Sequence, residues 1–359
     1  MRILITGICG YVGAHLAMRF ADSLPGAVIA GIDNLSRRGS EHYRDRLRAR
    51  GIAVVHGDVR MGADLRALPD ADWVVDCAAN PAVLSGLAAA GGCAPEQLIG
   101  HNLQGTLNIL EYCRERNAGL VLLSTSRVYS IAELCRIPLK EGPSRLELAL
   151  PIPDDLRGFS AQGVAEEFST AAPISLYGAT KLASETMALE YGEAFGFPVW
   201  VNRCGVIGGP GQLGRIDQGI FSFWVYSCAL GRPLKYIGFG GTGKQVRDCM
   251  SADDVATLTL RQMNAPSKPV PRVLNVGGGL EGALSLLEIT RICESRFNRK
   301  IAVETCQETR PYDIPYYVTD ARRIREAWGW KPSNSATEIV EQLCEWTLHN
   351  QDFVRNLFP

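Results

Sequence analysis

Two side chains four residues apart, Tyr177 and Lys181, have the types and spacing that acid–base chemistry needs. The segment YGATK begins a helical pattern, and a spacing of four places both side chains on one face, about one turn apart. A cationic ammonium near a phenol lowers the pKa of the phenol, so Tyr177 could act as a base near neutral pH. The same spacing is common in ordinary helices, so other residues must support this interpretation.

The segment LLSTSRVYS carries hydroxyl groups that could complete such a site. Its apolar residues predict the fifth strand of the chain, which ends with Ser124, Thr125 and Ser126. Ligands of doubly wound sheets bind at the carboxyl ends of the strands. One of these hydroxyls is therefore expected to hydrogen-bond a reacting alcohol and direct its proton to Tyr177.

Three glycines, Gly7, Gly10 and Gly13, separate the strand-like run RILIT from the helical run YVGAHLAMRF. In a strand–turn–helix unit the first glycine permits the tight turn, the second lets a pyrophosphate approach the backbone, and the third packs helix on strand. The free N–H groups of the helix N-terminus attract the phosphates. The spacing predicts a dinucleotide site, with packing alone as the alternative.

Acidic residues end the next two predicted strands. Asp33 lies twenty residues after Gly13, where a carboxylate accepts hydrogen bonds from the adenosine ribose. It would repel a 2′-phosphate, which favours NAD over NADP, although Arg37 and Arg38 could weaken that preference. Asp58 is placed to hydrogen-bond the adenine amino group, with a plain turn as the alternative.

The fourth predicted strand ends with Ala78 and Ala79, whose small size lets the backbone come close to the nicotinamide side of the cofactor. Lys181 would hold the nicotinamide ribose. The residues predicted to bind NAD are Gly7, Gly10, Tyr11, Val12, Gly13, Asp33, Asn34, Asp58, Val59, Ala78, Ala79, Tyr177 and Lys181.

Apolar strand-like runs alternate with amphipathic stretches through the first two hundred residues, which is typical of βαβ units. The predicted fold is α/β, a Rossmann-type doubly wound parallel sheet with a smaller, mixed C-terminal substrate domain. The predicted NAD-binding domain covers residues 1–205, with a long insertion at about 131–176 and return segments near 247–276. The substrate domain covers 206–359 and is partly interleaved with the first.

Charge and composition exclude several other classes of protein. The 37 Lys and Arg residues nearly balance the 38 Asp and Glu residues, so we expect a small-molecule partner and neither nucleic acid nor a membrane. The 11 cysteines form no C-x-x-C pair, and the opening MRILITG reads as a strand and not a signal peptide, so a cytoplasmic location is expected. The five histidines are dispersed, and no metal site is assigned.

The motifs TGICGYVG, DNL, GDVR, STSRVYS, YGATK and GKQVRD occur in this order over essentially the whole chain. In these motifs the chain resembles the extended short-chain dehydrogenase/reductase superfamily, specifically its nucleotide-sugar epimerases and dehydratases. The segments DNLSRRGS, IDQG and GKQVRDCMSADDV are most similar to the CDP-paratose 2-epimerases, also called CDP-tyvelose epimerases.

The resemblance implies an NAD that stays bound while a sugar carbon is oxidised, presents its other face and receives the hydride back. Tyr177 would take and return the hydroxyl proton, and Lys181 would set the phenolate. Thr125 would bind the hydroxyl, because the family's Ser or Thr stands three positions before the residue that is Val128 here.

Dehydratases of the family usually carry Asp-Glu after this threonine, whereas the chain has Ser126-Arg127, which disfavours elimination. A UDP-hexose 4-epimerase, a sugar-nucleotide dehydratase or decarboxylase, and a non-catalytic NAD-binding sensor are the alternatives to a 2-epimerase.

The second half of the chain would bind the nucleotide sugar. Arg247 and Arg310 are placed at its diphosphate by the resemblance, with a surface ion pair as the alternative role of each arginine. The residues predicted to bind substrate are Thr125, Ser126, Arg127, Asn202, Asp217, Gln218, Arg247 and Arg310. Apolar stripes in NLQGTLNILEYCRE and KLASETMALEYGEAF are expected to form a homodimer contact, with packing on the sheet as the alternative.

Overall fold

The computed structural model describes residues 1–84, 93–215 and 218–358. The strands, in chain order, are β1 (Arg2–Thr6), β2 (Val28–Asp33), β3 (Ala53–His56), β4 (Trp73–Asp76), β5 (Gly119–Thr125), β6 (Leu139–Glu141), β7 (Leu146–Leu148), β8 (Phe159–Ser160), β9 (Gly163–Val164), β10 (Val199–Cys204), β11 (Val206–Ile207), β12 (Leu234–Ile237), β13 (Val246–Met250), β14 (Val273–Val276), β15 (Ala283–Ser285), β16 (Val303–Cys306) and β17 (Tyr316–Tyr317).

The α-helices, in the same order, are α1 (Tyr11–Ser23), α2 (Ser40–Ala49), α3 (Gly62–Arg66), α4 (Pro95–Ile99), α5 (Gly105–Arg116), α6 (Ile131–Cys135), α7 (Ser175–Phe195), α8 (Ile220–Leu230), α9 (Ala252–Asn264), α10 (Leu286–Phe297), α11 (Arg322–Trp328), α12 (Ala336–His349) and α13 (Gln351–Leu357). None of the described helices combines the length and the apolar character that crossing a membrane requires.

The chain folds into two compact units. The first unit comprises Met1–Val128, Leu176–Arg203 and Ala252–Leu274. The second comprises Tyr129–Ser175, Cys204–Ser251 and Asn275–Pro359.

A seven-stranded sheet with the order β14-β10-β5-β4-β1-β2-β3 organises the first unit. From β3 through β2, β1 and β4 to β5, neighbouring strands run parallel. The chain leaves β1 toward β2 on one side and returns to β4 on the other, so the order reverses between β1 and β4. Ligands of doubly wound sheets bind at such a reversal, beyond the carboxyl ends of the strands. The predicted Rossmann-type α/β fold is confirmed.

Most of the predicted strands in this sheet form because their runs of aliphatic side chains are buried, whereas the edge strand β3 is largely exposed. All four residues of β4 and all six of β10 are buried. Fully burying a Leu, Ile or Val side chain contributes about 1.5–3 kcal/mol. The core on one side of the sheet includes Leu4, Ile32, Val74, Ile109, Leu110, Leu120, Leu122, Val199 and Val201.

The helical segment before β5 contains an irregular turn. Residues Gly100–Gln104 form a π-helical turn between α4 and α5. The sequence periodicity predicts one apolar stripe that consists of Leu98, Leu103, Leu107, Leu110 and Cys113. Leu98, Leu110 and Cys113 are buried, but Leu103 and Leu107 are only half-buried, whereas the polar Asn102 and Thr106 are buried. The wider turn changes which residues face the core, and π turns of this kind often occur at functional sites.

The second unit is built from small sheets and a helical core. Strands β11, β13 and β15 form one sheet, in which β17 also pairs with β13, and β12 pairs with β16. The predicted insertion contains α6 and the two hairpins β6–β7 and β8–β9. Helices α10 and α12 begin with capping boxes at Ser285 and Ser335, so the first N–H groups of each helix have partners.

Candidate active site

Two glycines of the turn after β1, Gly7 and Gly13, have no room for a side chain. Gly7 has φ of +61°, a conformation that favours glycine, and a Cβ there would lie 3.0 Å from the Ala78 Cα. A Cβ on Gly13 would lie 2.4 Å from the Gly7 carbonyl oxygen. The turn leads directly into α1, whose first-turn N–H groups lack intrahelical partners. This bare backbone at a helix N-terminus suits a pyrophosphate.

The Asp33 carboxylate lies beside this turn. One carboxylate oxygen accepts a hydrogen bond of 2.9 Å from the Cys9 N–H, and the other accepts one of 2.8 Å from the Leu35 N–H. Burial raises the pKa of Asp33, and these two N–H groups oppose that shift. Each oxygen retains acceptor capacity, which a pair of ribose hydroxyls could use.

Asp58 already has strong partners. The Arg60 guanidinium donates two hydrogen bonds to its carboxylate, of 3.0 and 2.7 Å, and holds the pKa of Asp58 well below its usual range. The Asn34 amide donates a third of 3.1 Å. The predicted contact with an adenine amino group would therefore share the carboxylate with Arg60.

The ends of β1 and β4 are joined by buried hydrogen bonds. The Thr6 hydroxyl donates to Asp76 at 2.6 Å, and the Ala78 N–H donates to the Thr6 hydroxyl at 3.1 Å. These bonds hold the small residues Ala78 and Ala79 next to the glycine turn. The backbone is therefore kept close to the reversal point of the sheet.

Tyr177 and Lys181 lie in the first two turns of α7, and both are buried. The Lys181 side chain is only 2 % exposed, and its ammonium has no hydrogen bond or ion pair with any described residue. Because the ammonium has no partner in the described part of the chain, its N–H groups are available to polar groups of a ligand. Together with the glycine turn, it gives NAD a fitting set of contacts.

The Thr125 hydroxyl lies at the carboxyl end of β5. It accepts a hydrogen bond of 3.1 Å from the Arg127 N–H, within the short 3₁₀ turn Ser126–Val128. This bond fixes the hydroxyl oxygen at the strand end. Thr125 is buried, whereas Ser126 and Arg127 are half-buried.

Asn102, which the sequence analysis missed, connects the loop after β4 to α7. Its side-chain oxygen accepts a hydrogen bond of 2.7 Å from the Asn80 N–H. Its side-chain NH₂ group donates one hydrogen bond of 3.1 Å to the Asn80 carbonyl and one of 3.2 Å to the Thr180 hydroxyl. The Ser184 hydroxyl donates to the Asn102 carbonyl at 3.2 Å. Thr180 precedes Lys181, so Asn102 helps to position the tyrosine–lysine helix. No local signal distinguishes Asn102, because His101 and Gln104 of the same turn are polar as well.

Replacing Asn102 tests this role. Asn102→Ala removes the hydrogen bonds that the buried amide makes to the Asn80 backbone and to Thr180, so we expect a loss of about 2–3 kcal/mol in the free energy of unfolding. Urea denaturation of the variant and the wild type measures this loss. Gln104→Ala in the same turn is the control, because Gln104 is exposed and its amide bonds only the Asn108 side chain, so its loss is expected below about 0.5 kcal/mol. Equal losses would contradict the role of Asn102.

Asn202, predicted to bind substrate, has a packing role in this structure. Its side chain is 0 % exposed, and its amide pairs reciprocally with Gln262 through hydrogen bonds of 2.9 and 2.8 Å. This pairing joins β10 to α9. The geometry therefore gives no support to a substrate contact by Asn202.

The other predicted substrate residues lie in the second unit. The Arg247 guanidinium donates a hydrogen bond of 2.9 Å to the Asp313 carboxylate and another to the Ile314 carbonyl. Arg310 has no ion pair with any described residue. Gln218 forms an isolated bridge with Arg215. Asp217 lies outside the described residues.

Comparison with known proteins gives a family match. A model described as "NAD dependent epimerase/dehydratase family" matches residues 3–277. A CDP-paratose 2-epimerase of Salmonella typhi is 30 % identical over 361 residues, which cover 97 % of this chain and 99 % of that protein. A probable UDP-glucuronate 4-epimerase of Rhizobium meliloti is 28 % identical, with 99 % of this chain and 98 % of that protein covered.

Among solved structures, a UDP-glucuronic acid 4-epimerase of Bacillus cereus has the same fold. The crystallised protein is a tyrosine-to-phenylalanine mutant in complex with UDP-4-deoxy-4-fluoro-glucuronic acid and NAD. The TM-score is 0.77 at 22 % identity, and all of both chains is covered. The likeness shows that the fold extends over the whole chain.

Proposed function

This chain belongs to the NAD-dependent epimerase/dehydratase family, and from that premise we propose that it inverts one carbon of a nucleotide-bound sugar by transient oxidation to a keto intermediate. The family resemblance in the motifs is thereby confirmed. The observation that carries the proposal is Lys181, whose side chain is buried one turn after Tyr177 on α7 and whose ammonium has no hydrogen bond or ion pair with any described residue.

NAD is the cofactor of this family, and the chain offers it a fitting site. The glycine turn before α1 would hold the pyrophosphate, Asp33 the adenosine ribose and Lys181 the nicotinamide ribose. When bound, NAD supplies the reversible uptake of a hydride from the sugar carbon.

The side chains of this site would control the proton of the same alcohol. The Thr125 hydroxyl would hydrogen-bond the sugar hydroxyl, and the Tyr177 phenolate would take the proton and later return it. The Lys181 ammonium would stabilise the phenolate. Because all three side chains are buried, bulk water has little access to the keto sugar while it is held.

Epimerisation is favoured over elimination by the turn that follows Thr125. Removing water from a sugar needs a general acid and a general base, but the turn presents the Ser126 hydroxyl and the Arg127 guanidinium. Neither side chain readily performs carboxylate chemistry. The oxidised sugar would therefore be reduced again without losing a group.

The proposed substrate is a CDP-hexose inverted at C2. The support is the motif similarity together with the 30 % identity to the Salmonella typhi enzyme over nearly the full length of both chains. Inversion of a UDP-hexose at C4 is the second candidate, because UDP-glucuronate 4-epimerases occur among the relatives and the structural neighbours. Arg247 and Arg310 are proposed to bind the diphosphate in either case.

A panel of CDP-, UDP-, GDP- and dTDP-sugars, incubated with the protein in deuterated water, tests this proposal. Mass spectrometry and NMR identify the product. We expect an isomer of unchanged mass, inverted at C2 of a CDP-sugar, without deuterium at that carbon, because the hydride returns directly. Loss of water or carbon dioxide, or no product from any sugar, would contradict the proposal.

Homodimer formation through α5 and α7 remains a prediction, as does the cytoplasmic location. Sedimentation velocity at micromolar concentration is expected to give the mass of two chains. A single species with the mass of one chain would contradict the dimer.

A further inference from the structure

A buried charged cluster, defined as Ser124, Glu185 and Arg203, joins three elements of the first unit. The Arg203 guanidinium of β10 donates to both Glu185 carboxylate oxygens, with Nε–Oε1 and Nη2–Oε2 distances of 3.2 and 2.7 Å. The Ser124 hydroxyl of β5 donates to Oε1. All three side chains are buried. The cluster therefore attaches α7 to the strand that ends in Thr125.

Glu185 stands four residues after Lys181, as Lys181 stands four after Tyr177. At this spacing, side chains on a helix are neighbours with Cβ atoms about 5–6 Å apart, so a carboxylate and an ammonium can reach each other. In the described residues no Lys181–Glu185 ion pair exists, because the Glu185 carboxylate is bound by Arg203 and Ser124. The helix contains a carboxylate that could neutralise Lys181, but the carboxylate is held elsewhere.

Other charged groups of the first unit do not take the place of Glu185. The buried Asp76 accepts hydrogen bonds from Thr6 and Thr106 at the end of β4, and the buried Asp254 lies on α9, which packs against α1. Arg127 follows Thr125 in the 3₁₀ turn. Glu111 and Arg114 of α5 lie near Tyr191 and Phe195 at the opposite end of α7.

We propose that Arg203 is a positioning residue that holds the Glu185 carboxylate away from Lys181 and so keeps the Lys181 ammonium free to act on Tyr177 and on the cofactor ribose. A buried ion pair adds little net stability over apolar packing, so the pair is not explained by stability alone. With Arg203 absent, Glu185 would turn to Lys181 and cancel the charge that favours the phenolate. The inference rests on the proposed role of Tyr177.

The titration of Tyr177 in the protein with its bound NAD tests this inference directly. Protein labelled with [¹³Cζ]tyrosine is followed by NMR across pH, and Tyr177→Phe identifies the resonance. We expect Arg203→Met to move the Tyr177 midpoint upward by about one pH unit or more, because a carboxylate then neutralises the ammonium beside the phenol. Lack of sugar turnover in the wild type would refute the proposed function without affecting this readout.

Three further variants separate the charge effect from a packing effect. Glu185→Gln combined with Arg203→Met removes both charges, so the midpoint should return to the wild-type value. Arg203→Lys retains a cation and should shift the midpoint less than Arg203→Met. Ser124→Ala removes a neutral donor to the Glu185 carboxylate but leaves both charges and the Arg203 contacts, so its midpoint should match the wild type. An unshifted midpoint in Arg203→Met, or a double variant that stays shifted, would overturn the inference.

Discussion

Replacing Tyr177 by Phe is expected to reduce the turnover number for the sugar about 1,000-fold, the scale of a lost general acid–base group. The buried Tyr177 phenol lies one turn before Lys181 on α7, and the Lys181 ammonium has no hydrogen bond or ion pair with any described residue. Bound NAD should remain, because the glycine turn and Asp33 are unaltered. Steady-state kinetics with the substrate found in the sugar panel, together with the NAD content of the variant, measure both effects.

Tyr191→Phe is the matched control for this experiment. Tyr191 lies on the same helix but outside the proposed site, and its hydroxyl donates a hydrogen bond of 2.8 Å to the Glu111 carboxylate. We expect its turnover to equal that of the wild type. Full activity in Tyr177→Phe would disprove the role of the phenol, and a large loss in Tyr191→Phe would show that the helix as a whole is sensitive.

Substituting Gly7 by Ala is expected to weaken NAD binding about 100-fold. The new Cβ would lie 3.0 Å from the Ala78 Cα, so the turn or the end of β4 must move. A shift that breaks one or two charge-assisted hydrogen bonds to the pyrophosphate costs about 3 kcal/mol, which is about a factor of 100 in affinity. Isothermal titration of NAD into the NAD-free protein measures the change.

Gly51→Ala separates the collision from backbone strain. Gly51 has φ of +73°, close to the +61° of Gly7, but a Cβ there would meet no heavy atom within 4 Å. Both variants should lose about 1–2 kcal/mol of folding stability because alanine is strained in the left-handed region. Only Gly7→Ala should lose NAD affinity. Equal NAD affinity in the two variants would contradict the close approach at the glycine turn.

The sequence was most informative where a local pattern has one physical cause. Six strands of the central sheet follow from aliphatic runs, and the turn at Gly7 and Gly13 follows from glycine spacing, because a Cβ at either position would collide with backbone. The carboxylate at the end of β2 and the hydroxyl at the end of β5 also follow, since parallel strands end at one edge of a sheet.

The parts that could not be predicted depend on contacts between distant segments. Asn102 lies in a helical pattern, and only the π turn aims its amide at Asn80 and Thr180. Asn202 is polar in a buried strand, and nothing local indicates that Gln262 pairs with it. Glu185 of α7 is bound by Arg203 of β10, and no pattern along α7 indicates that partner.

The NAD content of the purified protein shows whether the glycine turn, Asp33 and Lys181 form a dinucleotide site. The protein is denatured with acid, and the released nucleotide is identified and quantified by chromatography against the protein concentration. The fit of the glycine turn, Asp33 and Lys181 to the coenzyme predicts one NAD for each chain. Protein that contains no NAD and also takes up none in a calorimetric titration would disprove a dinucleotide site at this turn.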